Sequence, residues 1–351
     1  MQVLTNAASA TVRTPISGVS YDPIGPRLPS SAAFDPKRHL CYQPPTKKYT
    51  FSDLGISVKG ITPVAVTEAS CYRTRFVLKR DAILELRKDC LSSKVLDDFT
   101  CTTKLAAHQA REFPQQIAPF INQAFSSPEF VQACSDAAGI DLVPIMPMEL
   151  GHTNFQLGNE GKAGIRALGS EPSLPEPPST QTPKEDGTSN WHVDAYPFVA
   201  VTMLSDVTNM IGGETAIERG DGTIAKIRGP QLGWTTVMQG HYLKHLACKA
   251  YNAKERITMV TSFRARDPSL ADESFLLTIR NMAKRNRINA QWSTYRLRLV
   301  AERMSKLATE IEEAGRDDIL AEKDVCNKES MQKFVNEQIE YLQFGIEEMM
   351  P

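Results

Sequence analysis

Between Leu142 and Arg266 the chain is a succession of short strand-like runs, each cut off by a tight turn. Pro147–Gln156 alternates in polarity, as a strand does. Phe198–Leu204, Gly233–Gln239 and Arg256–Arg264 are runs of apolar and β-branched residues. Gly212-Gly213 and Gly220-Asp221-Gly222 mark turns between them. Many short strands with tight turns fit a β-sandwich or jelly roll.

The flanks read differently. Residues 1–50 are rich in Pro, Ser and Thr and are expected to form an extended or partly disordered arm. Residues 51–140 form a helical support region with a short strand at Pro63–Val66. Helices are expected over Arg80–Leu91, Thr103–Glu112, Pro114–Ala124 and from Ser127, where Ser-Pro-Glu is a good helix start. Residues 141–266 are the core, interrupted by a Pro-rich loop at 171–190 that could act as a lid. From residue 267 to 351 the chain is helical. Ile288, Trp292, Tyr295, Leu299, Leu307 and Ile311 share one face, with Met304 near it. The fold class is therefore α+β, a β core with N-terminal helices and long C-terminal helices.

Asn190-Trp191-His192-Val193-Asp194 follows the Pro-rich loop. On a strand, residues i and i+2 point the same way, so His192 and Asp194 can reach one metal ion. Two histidines further on, His241 and His245, can each supply a third ligand. Two His and one carboxylate on one face of an octahedron leave three positions open, which suits non-haem Fe(II). His-x-Asp alone is a weak signal. The ordered set carries more, because Arg256-Ile257-Thr258 opens a strand eleven residues after His245.

This constellation resembles the Fe(II)/2-oxoglutarate-dependent dioxygenase superfamily over about residues 145–266. The matching pieces are His192-Val193-Asp194, Gly212-Gly213-Glu214-Thr215, His245 and Arg256-x-Thr258. Thr258 stands where that family often has Ser. The wording around Val237–Gly240 and Glu255–Thr258 is similar to fungal members, which implies a small-molecule target of secondary metabolism. The resemblance implies a double-stranded β-helix and a metal site of His192, Asp194 and His245, with His241 as the rival third ligand. It implies 2-oxoglutarate as co-substrate and O2 as oxidant. Arg256 would hold the distal carboxylate of 2-oxoglutarate, and Thr258 would add a hydrogen bond; Arg264 is the rival anchor. Oxidative decarboxylation of 2-oxoglutarate would then be coupled to hydroxylation, desaturation or ring closure at a C–H bond.

Other residues are candidates for the pocket walls. His152, Asn154 and Gln156 share one face of a strand. Asn154 could reach the co-substrate, while His152 and Gln156 could reach a substrate, for example the charged head group of an amino acid. Trp191 beside the ligands and Phe344 on the last helix could also touch substrate. Core packing is the plainer reading of both.

Composition narrows the partners. Net charge is −1, which offers no basic face for a nucleic acid. No apolar run is long enough for a membrane span, and no secretion signal is evident at the N-terminus. Seven scattered cysteines, without a Cys-x-x-Cys pair, fit free thiols in a cytoplasmic protein. Two alternatives stay open: an iron oxidase that uses no oxoglutarate, and a zinc-binding or non-catalytic jelly-roll protein.

Overall fold

The computed structural model describes residues 27–57, 60–70, 80–102, 108–113, 115–157, 161–182, 190–229, 231–318 and 326–351. The expected arm falls outside them up to residue 26. The strands in chain order are β1 (Gln43–Thr50), β2 (Val64–Ser70), β3 (Thr100–Cys101), β4 (Gln109–Ala110), β5 (Leu142–Pro144), β6 (His152–Leu157), β7 (Phe198–Met203), β8 (Ile211–Gly212), β9 (Thr215–Glu218), β10 (Ile224–Ile227), β11 (Thr235–Met238), β12 (His245–Ala247), β13 (Ala250–Tyr251) and β14 (Glu255–Ala265). The helices are α1 (Pro36–His39), α2 (Arg80–Cys90), α3 (Ser93–Asp98), α4 (Pro119–Ser126), α5 (Pro128–Ala138), α6 (Gly161–Ala167), α7 (Arg285–Asp318) and α8 (Lys328–Glu348).

The large antiparallel sheet runs β1-β2-β11-β7-β14-β6-β4-β3, with β5 paired to the end of β14. A smaller sheet, β10-β9-β12, and the ribbon β13-β8 complete the β structure. Residues of β6, β7, β11 and β14 face residues of β9 and β12 across one cavity. Two opposed sheets enclosing a cavity form the jelly-roll core, and the class is α+β.

β14 shows how the sequence builds this. Its eleven residues are all buried, yet alternate positions face different surroundings. Ile257, Met259 and Phe263 join the core under α2–α5, with Leu86, Phe120, Phe125 and Phe130. Arg256, Thr258, Val260 and Ser262 line the cavity. On the other face the two buried polar residues, Glu255 and Thr261, are hydrogen-bonded to Arg87 and Gly151 N.

Several local expectations need correction. Gln109–Ala110 is a strand, not part of a helix, because β4 is captured by β3 and β6. Residues 103–107 lie outside the described residues. The helix expected from Pro114 starts at Pro119, since Ala118 before it is forced out of the helical region, at φ −132° and ψ 64°. Pro147–Glu149 is a 3-10 turn, and the strand begins only at His152, after Gly151 at φ 64°. Gln43–Thr50, inside the expected arm, is strand β1 on the edge of the large sheet. By contrast, Ser127 does cap α5, accepting a hydrogen bond from Phe130 N at 3.3 Å.

In α7, Ile288, Trp292, Tyr295 and Leu299 are buried, while Leu307 and Ile311 are half-buried and Met304 is exposed. Only the first half of that face packs on the core, against Met146, Tyr196 and Ile279. Among the described residues no helix is long and apolar enough to cross a membrane.

Candidate metal centre and its cavity

His192 and His245 are tied together by their backbones. Each N–H donates to the other's carbonyl, at 3.0 and 2.9 Å, and the imidazole rings lie 4.5 Å apart. Asp194 is anchored in the same way, its N–H donating to Gly240 O at 3.0 Å. As a result His192, Asp194 and His245 each offer a ligand atom within 4.8 Å of one another.

The second nitrogen of each ring fixes its orientation. His192 Nδ1 lies 2.8 Å from Asn190 O, and His245 Nδ1 lies 2.8 Å from Leu243 O. A carbonyl only accepts, so both Nδ1 atoms carry the hydrogen and both Nε2 atoms keep a free lone pair. Those Nε2 atoms each lie 3.7 Å from Asp194, on separate carboxylate oxygens. Asp194 Oδ2 is buried and has no hydrogen-bond partner. Burial pushes the His245 pKa down, helped by His192 and opposed by Asp194, which favours the neutral, ligating form. An unpaired buried carboxylate oxygen beside two aimed lone pairs is the donor set a divalent ion needs. These residues therefore fit a bound metal.

Gly240 makes room for the carboxylate. A Cβ at that position would lie 1.8 Å from Asp194 Oδ2. His241, the rival ligand, points elsewhere. Its Nδ1 lies 3.2 Å from Asp194 O, its Nε2 faces Glu273 at 3.8 Å, and its ring packs on Tyr242 and Phe275.

The cluster opens into a cavity of about 490 Å³. Arg256 and Thr258 line it; Arg256 is 9% exposed. Its guanidinium makes one long hydrogen bond, Nη2 to Gly213 O at 3.4 Å, and its Nε has no partner. Burial pushes its pKa down to about 10, against Cys248 and Glu214, which raise it. A buried cation with idle donors fits a carboxylate ligand. Arg264, the rival anchor, is spent on Glu302 at 2.7 Å and lies outside the cavity. Gly213, at φ 73°, lets the turn approach; a Cβ there would lie 3.4 Å from Arg256 Nε.

His152, Asn154 and Gln156 all face inward and line the cavity. Asn154 is in register with Thr258, and Gln156 with Arg256. Trp191 and Phe344 are not among the lining residues. Trp191 is 37% exposed, and Phe344 lies over Arg296, 5.5 Å from ring centroid to guanidinium carbon. Both are corrections: Trp191, immediately before the ligand His192, is turned towards solvent, and α8 packs on α7 rather than over the cavity mouth. No described residue of the loop 171–190 lines the cavity either. Thr278, Ile279 and Met282 do.

Arg111, Glu149 and Tyr196 are among the lining residues that sequence reading did not single out. Arg111 Nη1 donates to Glu149 Oε1 at 3.0 Å. Burial opposes ionisation of Glu149, but Arg111, His152 and Ser262 together hold it below the usual carboxylate range. No local spacing announces this group; the register β4–β6 and the turn before β6 assemble it.

No family profile matches the sequence, and no curated protein matches it. Solved structures overlap it weakly. A prolyl-4-hydroxylase from Pseudomonas putida is 15% identical, covering 57% of this chain and 93% of its own, at TM-score 0.35. A 2OG-Fe(II) oxygenase family oxidoreductase from Burkholderia pseudomallei is 14% identical, covering 47% and 71%, at TM-score 0.32. AviO1 from Streptomyces viridochromogenes is 14% identical, covering 58% and 90%, at TM-score 0.36. Likeness at this level carries no weight for activity, and the chemistry rests on the site's own geometry.

Proposed function

We propose that this chain is a non-haem Fe(II) oxygenase that couples oxidative decarboxylation of 2-oxoglutarate to C–H oxidation of a small molecule. The observation that carries this reading is the pairing of two features in one cavity. One is a His-Asp-His cluster with its lone pairs converged; the other is a buried arginine whose Nε is unpartnered and whose one hydrogen bond is long.

In this reading His192, Asp194 and His245 hold the ion and leave three coordination positions open. Iron, when bound, supplies the activation of O2 and the oxidising power. The protein's residues supply placement. Arg256 presents a guanidinium fork to the distal carboxylate of 2-oxoglutarate, and the Thr258 hydroxyl on the same strand face adds a hydrogen bond. Asn154, next to Thr258 in register, is within the same patch and is assigned to the co-substrate. Val199, Val201, Met238 and Val260 make the rest of that wall apolar, which excludes water from the reacting centre.

The test begins with protein prepared under nitrogen and loaded with Fe(II). One iron per chain is expected for wild type and for His241→Ala, and none for His245→Ala. Loss of iron in the His241 variant alone would refute the ligand assignment. On admission of O2, 2-oxoglutarate should be converted to succinate in an Fe(II)-dependent way. Oxygen uptake without succinate would point instead to an iron oxidase that uses no oxoglutarate. Stoichiometric zinc with no oxygen uptake would remove the oxygenase reading altogether.

A further inference from the structure

The end of the cavity away from Arg256 has a charge balance that constrains the substrate. Among the described lining residues the carboxylates and cations are Arg111, Glu149, Asp194, Lys249 and Arg256. Resting on the reading above, Asp194 and Arg256 are committed to metal and co-substrate. Lys249 belongs to the Arg256 end: its carbonyl accepts from Gly213 N at 3.1 Å, and its ammonium stands over the Tyr251 ring, 5.5 Å from the centroid. Arg111 and Glu149 remain, and they neutralise each other at 3.0 Å.

His152 closes this pair into a ring. Its Nε2 lies 3.1 Å from Arg111 Nη2, and its Nδ1 lies 3.3 Å from that same nitrogen and 3.4 Å from Glu149 Oε2. Arginine only donates and carboxylate only accepts, so a neutral imidazole with hydrogen on Nδ1 satisfies both. Ser262 Oγ faces the same Glu149 oxygen at 3.4 Å. The ring has no net charge and uses both nitrogens of His152, and Arg111 Nε is the one polar atom of the three side chains left without a partner. A carboxylate brought to Arg111 meets Glu149 as well, and an ammonium brought to Glu149 meets Arg111. Either ion would be desolvated without a free counter-charge.

Beside this ring lie polar atoms of the opposite kind: uncharged, buried and unpartnered. They are Gln109 Oε1 and Tyr196 Oη, with Asn154 Oδ1 beside Gln109. Gln109 and Asn154 are register partners on adjacent strands, so their carboxamides stand side by side. Buried polar atoms without partners are rare, and a lining set of them is a set of contacts waiting for a ligand. We infer that the substrate is an uncharged molecule bearing amide or hydroxyl groups, recognised through Gln109 and Tyr196 rather than through an ion pair. This replaces the expectation of an amino-acid head group.

The holoenzyme, loaded with Fe(II) and 2-oxoglutarate under nitrogen, is dialysed to equilibrium with three probes of one body. In buffer at about pH 6, below the α-amino range, they are N-acetyl-L-phenylalaninamide, which is uncharged, N-acetyl-L-phenylalanine, an anion, and L-phenylalaninamide, a cation. The uncharged probe should bind about tenfold or more tightly than either ion, and Tyr196→Phe should weaken it by roughly fivefold or more, as loss of one buried hydrogen bond does. Glu149→Gln leaves Arg111 without its counter-charge and should move the preference towards the anion. If that variant does not fold, the wild-type order and Tyr196→Phe decide. An ion binding as tightly as the uncharged probe, or no probe binding, overturns the inference. Failure of the oxygenase reading is seen separately, as absence of succinate from 2-oxoglutarate, while the order of the probes still reports the charge of this wall.

Discussion

Single residues set the site's tolerances. Gly240 is the sharpest case, because any side chain there collides with the Asp194 carboxylate. Gly240→Ala should cost about 1–3 kcal/mol of stability through overpacking. It should also abolish stoichiometric iron binding, measured by metal analysis of the folded variant. Arg256→Met keeps an unbranched apolar stem and removes the donors. Each lost hydrogen bond to a charged group is worth ~1.5–3 kcal/mol, so the KM for 2-oxoglutarate should rise roughly 10- to 100-fold. Iron content should stay unchanged, which separates this variant from the ligand variants. The metal-site residues were legible in the sequence because two of them sit at i and i+2, and the third keeps a fixed spacing to Arg256. Arg111, Glu149 and Tyr196 were not, since three different elements deliver them and none has a motif around it.

Among the elements, β14 does two jobs on its two faces. Arg256 points into the cavity, while Glu255 points out and is held by Arg87 at 2.7 and 3.0 Å. Arg87 also donates to the carbonyls of Gly169, Ser170, Glu171 and Leu204, and Ser173 N donates to Glu255. The root of the Pro-rich loop is thereby pinned beside the start of β14. Arg87→Ala strands a buried carboxylate and should destabilise the fold by about 3–5 kcal/mol. Urea denaturation would check this, with faster proteolytic cleavage after residue 170 as the companion signal. Elements with strong local signals were legible in the sequence: β7, β14 and the capped start of α5. β4 was not, for two residues have no period, and pairing on both sides makes them a strand.

At the scale of the molecule, pH acts through a buried acid that does not line the cavity. Asp89 accepts from Ser30 N at 2.8 Å and Ile121 N at 3.0 Å. Burial outweighs these bonds and pushes its pKa up to about 6. Because the folded value lies above the unfolded one, the protonated acid favours folding. That contribution is complete below about pH 4 and fades as pH rises through about 6. Between pH 5 and 7.5, Asp89→Asn should flatten the fall in thermal midpoint that the wild type shows. An unchanged slope would assign the pH dependence elsewhere. The jelly-roll core was legible from the turn-punctuated runs of residues 142–266. The large sheet extends beyond that range, taking in β1 to β4, and such long-range pairing leaves no trace in local sequence.

The central place of β14 in that sheet has a consequence for biosynthesis. β6 and β7 pair with it from either side, yet among the described residues it is the last strand made. Sixty-two residues separate Met203 from Ala265. At roughly 5–20 residues per second of synthesis, the nascent chain carries two open sheet edges for about 3–12 s. Ribosome-associated chaperones that shield such edges should therefore raise the yield of soluble protein, and slowing translation after residue 203 should lower it.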